Sequence, residues 1–111
     1  MELVHEVGLS TETVVLDHLD TEEWVKFALD NGCYAGITIQ PWRATSPEKV
    51  AAWAATFGPE RMLLNTDAST MPSDHLGVPK TVFHLRKRKV PEEKIQRMVY
   101  ENPIKFYRLP L

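Results

Sequence analysis

The stretch Cys33-Tyr34-Ala35-Gly36-Ile37-Thr38-Ile39-Gln40 decides the fold. It carries Ile37 and Ile39 at its centre and is stopped by Pro41-Trp42. A short apolar run bounded by turn residues reads as a buried strand. What surrounds it is helical. On its amino side, Asp20 or Thr21 can cap a helix whose first turn holds Glu22 and Glu23, favourable at the positive dipole end. Trp24 with Ala28, and Val25 with Leu29, are i,i+4 pairs on one broad stripe, and Asn31-Gly32 ends it. On its carboxyl side, Ser46 caps a second helix and Pro47 takes the first helical position, where its missing N–H costs nothing. Val50, Trp53, Ala54 and Phe57 follow the i, i+3, i+4, i+7 template, and Gly58-Pro59 closes that helix.

Working outward, Val14-Val15-Leu16 is a short apolar, β-branched run that ends at Asp17-His18, and Met62-Leu63-Leu64 runs into Asn65-Thr66-Asp67. Both suit parallel strands buried on their two faces. Leu3, Val4 and Val7 fall at helical spacing with Gly8 as a C-cap glycine, so the chain opens on a helix tail. Beyond the third strand, Asp74 can cap a helical segment. Pro79 predicts a short turn and then a helix from about Pro79 to Lys87, with Val78, Val82 and Leu85 as its apolar stripe. Pro91 starts another helix through Ile95, Met98 and Val99. Asn102-Pro103 restarts a last short one with Ile104, Phe106 and Tyr107.

The order is a helix tail followed by three strand–helix units, which predicts an α/β fold with a parallel sheet and right-handed crossovers. Periodicity leaves open whether the sheet closes into a barrel or stays flat. A flavodoxin-like open sheet is disfavoured by the lack of a glycine-rich phosphate loop.

Composition narrows the function classes. The 111 residues carry a net charge of −2, so no general attraction to nucleic acid or anionic membrane is expected. The basic run Arg86-Lys87-Arg88-Lys89 reads as a solvated helix end, where cations suit the negative dipole end. Cys33 is the only cysteine, which excludes an intrachain disulfide and a cysteine metal cluster and fits a reducing cytoplasm. No apolar run is long enough to span a bilayer. The first ten residues lack the basic head and apolar block of a signal peptide.

The polar residues concentrate where parallel strands end. His18 ends the first strand, Gln40 the second and Asp67 the third, and ligand groups gather at that end of β/α folds. An imidazole and a carboxylate aimed at one point could ligate a divalent ion of the zinc class. Such an ion lowers the pKa of bound water, and a carboxylate can act as base toward it. The competing readings are a hydrogen-bonded histidine and an aspartate that caps the next helix. Two ligands are also fewer than the three that catalytic zinc usually takes from protein. Trp42 could line a substrate pocket, or pack at the rim. His75 could reach the same mouth, or stay a surface residue. His84 is expected to face solvent, and Trp24 and Trp53 to face the core. Cys33 has no basic or helix-terminal neighbour to activate it.

Several stretches, in order, resemble the last third of TatD-like metal-dependent hydrolases of the amidohydrolase superfamily. Val14-Val15-Leu16-Asp17-His18 is similar to a strand ending in a metal-binding histidine, and Cys33 to Thr38 to the strand that follows. Glu60 to Ala68 is similar to the family's R-[IL]-L-x-E-T-D segment, Ser73 to Lys80 to an "SDPLAVPK" stretch, and Tyr100 to Leu109 to the closing helix. The resemblance implies that residues 1–111 are the C-terminal part of a TIM barrel, its last three β/α units. His18 would be a metal ligand, and Asp67 both a ligand and the residue that activates the attacking water. Gln40, Trp42 and His75 would be the substrate-side candidates. The ion would be Zn, Mn or Mg and the substrate a small molecule.

The chain also departs from the family. Asn65 stands where the family writes Glu, and the H-x-H of strand one, the fourth-strand Glu and the fifth-strand His fall on strands absent here. A whole barrel takes about 250 residues. The chain alone is therefore expected to be inactive and to pair with a complementing N-terminal barrel portion or with itself, because open strand edges invite pairing. The alternative from another class is a non-catalytic α/β interaction module.

Overall fold

In a computed structural model of the chain, residues 1–40, 44–67 and 73–110 are described. Three strands, β1 (Val15–Leu16), β2 (Tyr34–Thr38) and β3 (Met62–Asn65), form a parallel sheet in the order β1-β2-β3. The helices are α1 (Glu2–Glu6), α2 (Glu22–Asp30), α3 (Pro47–Phe57), α4 (Gly77–Lys87), α5 (Glu92–Gln96) and α6 (Asn102–Tyr107). The expected strand–helix alternation is therefore present, with helices flanking the sheet.

Local chemistry places the helix ends. The Thr21 hydroxyl accepts from the Trp24 N–H and the Ser46 hydroxyl from the Lys49 N–H, satisfying donors that a helix start leaves free. Pro79 falls in the first turn of α4, where a missing N–H is harmless, so α4 starts at Gly77, two residues ahead of the expectation. Asp74 precedes it. Its carboxylate accepts from the Leu76 N–H at 2.9 Å and from Lys80 Nζ, and the Lys80 bond holds the Asp74 carboxyl below the usual range.

The last helical stretch departs from a plain helix. Between α5 and α6, Arg97–Glu101 form a π-helical turn. Pro103, two residues beyond, brings no N–H for the carbonyl four residues back, which disfavours continuous α-helical bonding here. Arg86–Lys89 ends α4 as expected, and Arg86 pairs with Glu92 at the start of α5, Nε to carboxylate 3.1 Å.

The two faces of the sheet differ in kind. Side chains alternate along a strand. Ala35, Ile37, Ile39 and Met62 take one face and merge with Val25 and Ala28 of α2, Val50, Ala51, Trp53 and Ala54 of α3, Leu85 of α4, Ile95 and Met98 in one buried core. By the same alternation Gly36, Thr38, Gln40 and Asn65 take the other face, with Gly36 opposite Leu63 and Thr38 opposite Asn65 in register.

Two sequence readings need correction. Trp24 is 55% exposed and not in the core. Successive helical residues turn by about 100 degrees. A stripe centred on buried Val25 and Ala28 leaves Trp24 at its edge, where its ring packs edge-on against Phe27. His84 is half-buried rather than solvent-facing, its ring edge-on to Phe83.

Candidate functional site

The site is built where β1 and β3 leave the sheet. Strands lie about 4.8 Å apart, so the two outer strands are separated by roughly 10 Å. His18 and Asp67 nevertheless meet: His18 Nδ1 lies 3.8 Å from Asp67 Oδ2. Backbone conformation explains it. His18 has φ 57° and Asp67 φ 47°, both in the left-handed region that L residues enter at a cost. The other two non-glycine residues with positive φ among the described ones, Lys89 and Arg108, end α4 and α6, where left-handed caps are ordinary. Only the histidine and the aspartate take it after a strand. The sharp turn leans both side chains inward over the end of β2.

Glycine makes the turn after β1 possible. The Leu19 N–H donates to the Gly36 carbonyl at 3.0 Å, tying the chain beyond His18 to β2. A Cβ at Gly36 would overlap the Asp17 carboxylate and lie 3.0 Å from Asp17 Cα. Asp17 thus fills a cradle that only glycine leaves, and its Oδ2 sits 4.0 Å from His18 Nε2.

Two residues that sequence reasoning did not select complete the arrangement. Thr38 Oγ1 lies 2.8 Å from His18 Nδ1 and donates to Asn65 Oδ1 at 2.9 Å. Thr38 is 5% exposed and ties β1, β2 and β3 together at one point. The signal was available: in strands of period two, Thr38 and Asn65 share a face with Gln40 rather than with Ile37 and Ile39.

The remaining candidates divide. Gln40 is buried at the end of β2, its N–H donating to the Thr45 carbonyl at 3.1 Å. It lines a small cavity of about 20 Å³ with His18, Leu19, Asp20, Thr38 and Thr45. Thr45 Oγ1 is buried there without a hydrogen-bond partner among the described residues. Polar capacity is therefore left unspent beside the imidazole, in a space about the size of one water. His75 is exposed on the turn before α4 and does not line this cavity. Trp42 lies outside the described residues. Cys33 is buried, and desolvation raises its thiol pKa, in keeping with an inert structural cysteine.

Two larger concavities lie elsewhere, one of about 470 Å³ lined in part by Ser46, Asp74, Lys80, Phe83 and His84, and one of about 460 Å³ at the amino end of the sheet, lined in part by Glu12, Tyr34, Glu60, Arg61, Arg97 and Glu101. The charges of the latter interleave in sign, which suits mutual pairing more than one charged ligand. The sequence-selected His18 and Gln40 line the smaller cavity.

Whether a divalent ion fits can be judged from the donors. Ligands about 2.1 Å from one ion are at most about 4.2 Å apart. Asp67 Oδ2 lies within that limit of His18 Nδ1, at 3.8 Å, and Asp17 Oδ2 within it of Nε2, at 4.0 Å, so each ring nitrogen has a different carboxylate beside it. His18 is 62% exposed at its side chain and Asp67 35%, so both are open to a ligand. Among the described residues, however, no group of three or more His, Cys, Asp or Glu side chains gathers into a metal site. The pair fits as part of a coordination shell, not as a whole one. No helix among the described residues is long and apolar enough to cross a membrane.

Comparison with known proteins agrees with the coarse reading. The chain is 28% identical, over 109 residues and 98% of its length, to an uncharacterized metal-dependent hydrolase of Methanocaldococcus jannaschii. A second similarity, 31% identity over 75 residues and 66% of the chain, is to an imidazole-4-carboxamide isomerase of Elusimicrobium minutum. The chain spans 42% of the hydrolase and 31% of the isomerase. No protein-family model matches.

Proposed function

We propose that this chain is the C-terminal portion of a TatD-like, metal-dependent hydrolase built on a (β/α)8 barrel in the cytoplasm, acting on a small-molecule substrate. One observation carries the reading: an imidazole and a carboxylate from the ends of two parallel strands, both in strained backbone conformations, converge to 3.8 Å at the carboxyl edge of the sheet. Strain kept at two polar strand ends points to function more than to stability.

In this reading β1, β2 and β3 are the sixth, seventh and eighth strands of the barrel. The single apolar core on one face, with Thr38 and Asn65 on the other, suits helices outside and a polar barrel mouth within. His18 and Asp67 would hold a Zn, Mn or Mg ion together with ligands from a complementing N-terminal barrel portion. When bound, the ion would make an attacking water more acidic and polarise the bond to be cleaved. Asp67 would accept a proton from that water. Gln40 and the unpartnered Thr45 hydroxyl would hydrogen-bond a polar group of the substrate.

The test separates the parts of the claim. The metal-free chain is titrated with Zn²⁺, Mn²⁺ and Mg²⁺ by calorimetry and assayed on phosphodiester, lactone and amide panels. Weak ion binding, lost in His18→Ala and Asp67→Asn, with no turnover, is the expected result. Turnover by the chain alone that disappears in both variants would overturn the claim that it is an incomplete enzyme. Ion binding unchanged in both variants would overturn the metal assignment. The non-catalytic alternative rests on the outer edges of β1 and β3, which no other strand covers among the described residues.

A further inference from the structure

We propose that Thr38, oriented by Asn65, is a positioning residue that holds the His18 imidazole with its proton on Nδ1, leaving Nε2 as the lone pair presented to a ligand. The proposal rests on reading His18 as a ligand-bearing residue and assigns the donor role to Nε2, on the Asp17 side of the ring, rather than to the Nδ1 that lies 3.8 Å from Asp67.

A threonine hydroxyl has one proton to give and two lone pairs. Thr38 Oγ1 has two partners, His18 Nδ1 at 2.8 Å and Asn65 Oδ1 at 2.9 Å. An amide oxygen only accepts, so the hydroxyl proton points to Asn65. The Thr38 oxygen is then the acceptor toward His18, and Nδ1 must carry a hydrogen. At Nε2 the Asp17 carboxylate is 4.0 Å away, beyond hydrogen-bond length, and no hydrogen bond is made there among the described residues. The Asp67 carboxylate, 3.8 Å from Nδ1, adds negative potential on the protonated side. Thr38 is 5% exposed, so water competes poorly for its hydroxyl. The register that sets Thr38 opposite Asn65 fixes the relay in the sheet itself. Metal-bound histidines commonly donate their second ring N–H in this manner.

Asn65 makes the inference sharp. With its amide turned over, the NH₂ would donate to Thr38, Thr38 would donate to Nδ1, and the imidazole proton would move to Nε2. No lone pair would then be open. Aspartate at this position can only accept, so Asn65→Asp locks the relay in the proposed sense.

The experiment is ring-nitrogen NMR of the full, metal-free chain with isotope-labelled histidine, at a pH well above the ordinary imidazole pKa of about 6.5. The chain has four histidines, and His18→Gln assigns the resonance. The wild type should show Nδ1 protonated and Nε2 bare. Thr38→Val, similar in volume, should move the tautomer ratio by about fivefold toward Nε2–H, the worth of one ordinary hydrogen bond. Thr38→Ser should restore the wild-type ratio, and Asn65→Asp should keep or strengthen it. A backbone correlation spectrum confirms that each variant is folded. A wild type protonated on Nε2, a Thr38→Val spectrum with the wild-type ratio, or a tautomer switch in Asn65→Asp would each overturn the proposal. Adding Zn²⁺ to the same sample tests the other reading: an unmoved Nε2 resonance removes the metal assignment and leaves the tautomer result intact.

Discussion

The two ends of the sheet are bridged by side chains in opposite ways. At the amino end, side chains bond to backbone. Asn102 of α6 donates through Nδ2 to the carbonyls of Pro59 and Met62, at 2.8 and 2.9 Å, and is buried. Arg61 donates to the Leu29 carbonyl at 3.1 Å, and the Tyr34 ring packs on Phe106 with centroids 4.8 Å apart. These contacts satisfy main-chain acceptors that would otherwise be stranded, including one on the outer side of β3. At the carboxyl end, side chains bond to side chains. His18, Thr38 and Asn65 form a relay, Asp67 leans toward it, and a buried Thr45 hydroxyl has no partner among the described residues. The first end spends its side chains on main-chain acceptors and is stabilising. The second holds unspent polar capacity and two strained residues, the form expected of a surface kept ready for something else.

Substitutions at the two ends sharpen this contrast. Asn102→Ala should have the largest effect, a loss of about 2 to 3 kcal/mol, because two carbonyl acceptors lose their donor at once. Urea unfolding reads the loss, and the His18 ring resonances should stay unchanged. A loss well under 1 kcal/mol would place Asn102 outside the structural end. Gly36→Ala comes next, at about 2 kcal/mol, since its methyl would overlap the Asp17 carboxylate and crowd the Asp17 Cα as well. Unlike the first variant it should also move the His18 resonances. If those stay put, Gly36 does not set the turn after β1. The smallest effect is at Asp67. A valine there, forced to φ near 47°, should cost about 1 to 2 kcal/mol, whereas Asp67→Gly should fall within about 0.5 kcal/mol of wild type. Equal losses in the two would mean that the left-handed backbone at Asp67 is not the source of the cost.

How much was legible varies along the chain for physical reasons. Ser46 with Pro47, Thr21 with its acidic first turn, and the Val50–Trp53–Ala54 stripe were readable because capping and periodicity act within a few residues. Trp24 was misplaced because an i,i+4 pair does not say which edge of a broad stripe meets the sheet. His18 and Asp67 could be named from their places at strand ends. Thr38 was passed over because its partners lie 20 and 27 residues away in the chain.

From order and pattern alone come a parallel α/β sheet, its three strands, and the polar residues that close each of them. Tertiary structure decided the rest. It brought β1 and β3 to either side of β2, so that a hydroxyl on the middle strand could bond to side chains from both. It also turned His18 and Asp67 into left-handed conformations that set their side chains together. Neither result can be written locally, because a hydrogen bond between strands depends on register, and register exists only once the sheet has formed.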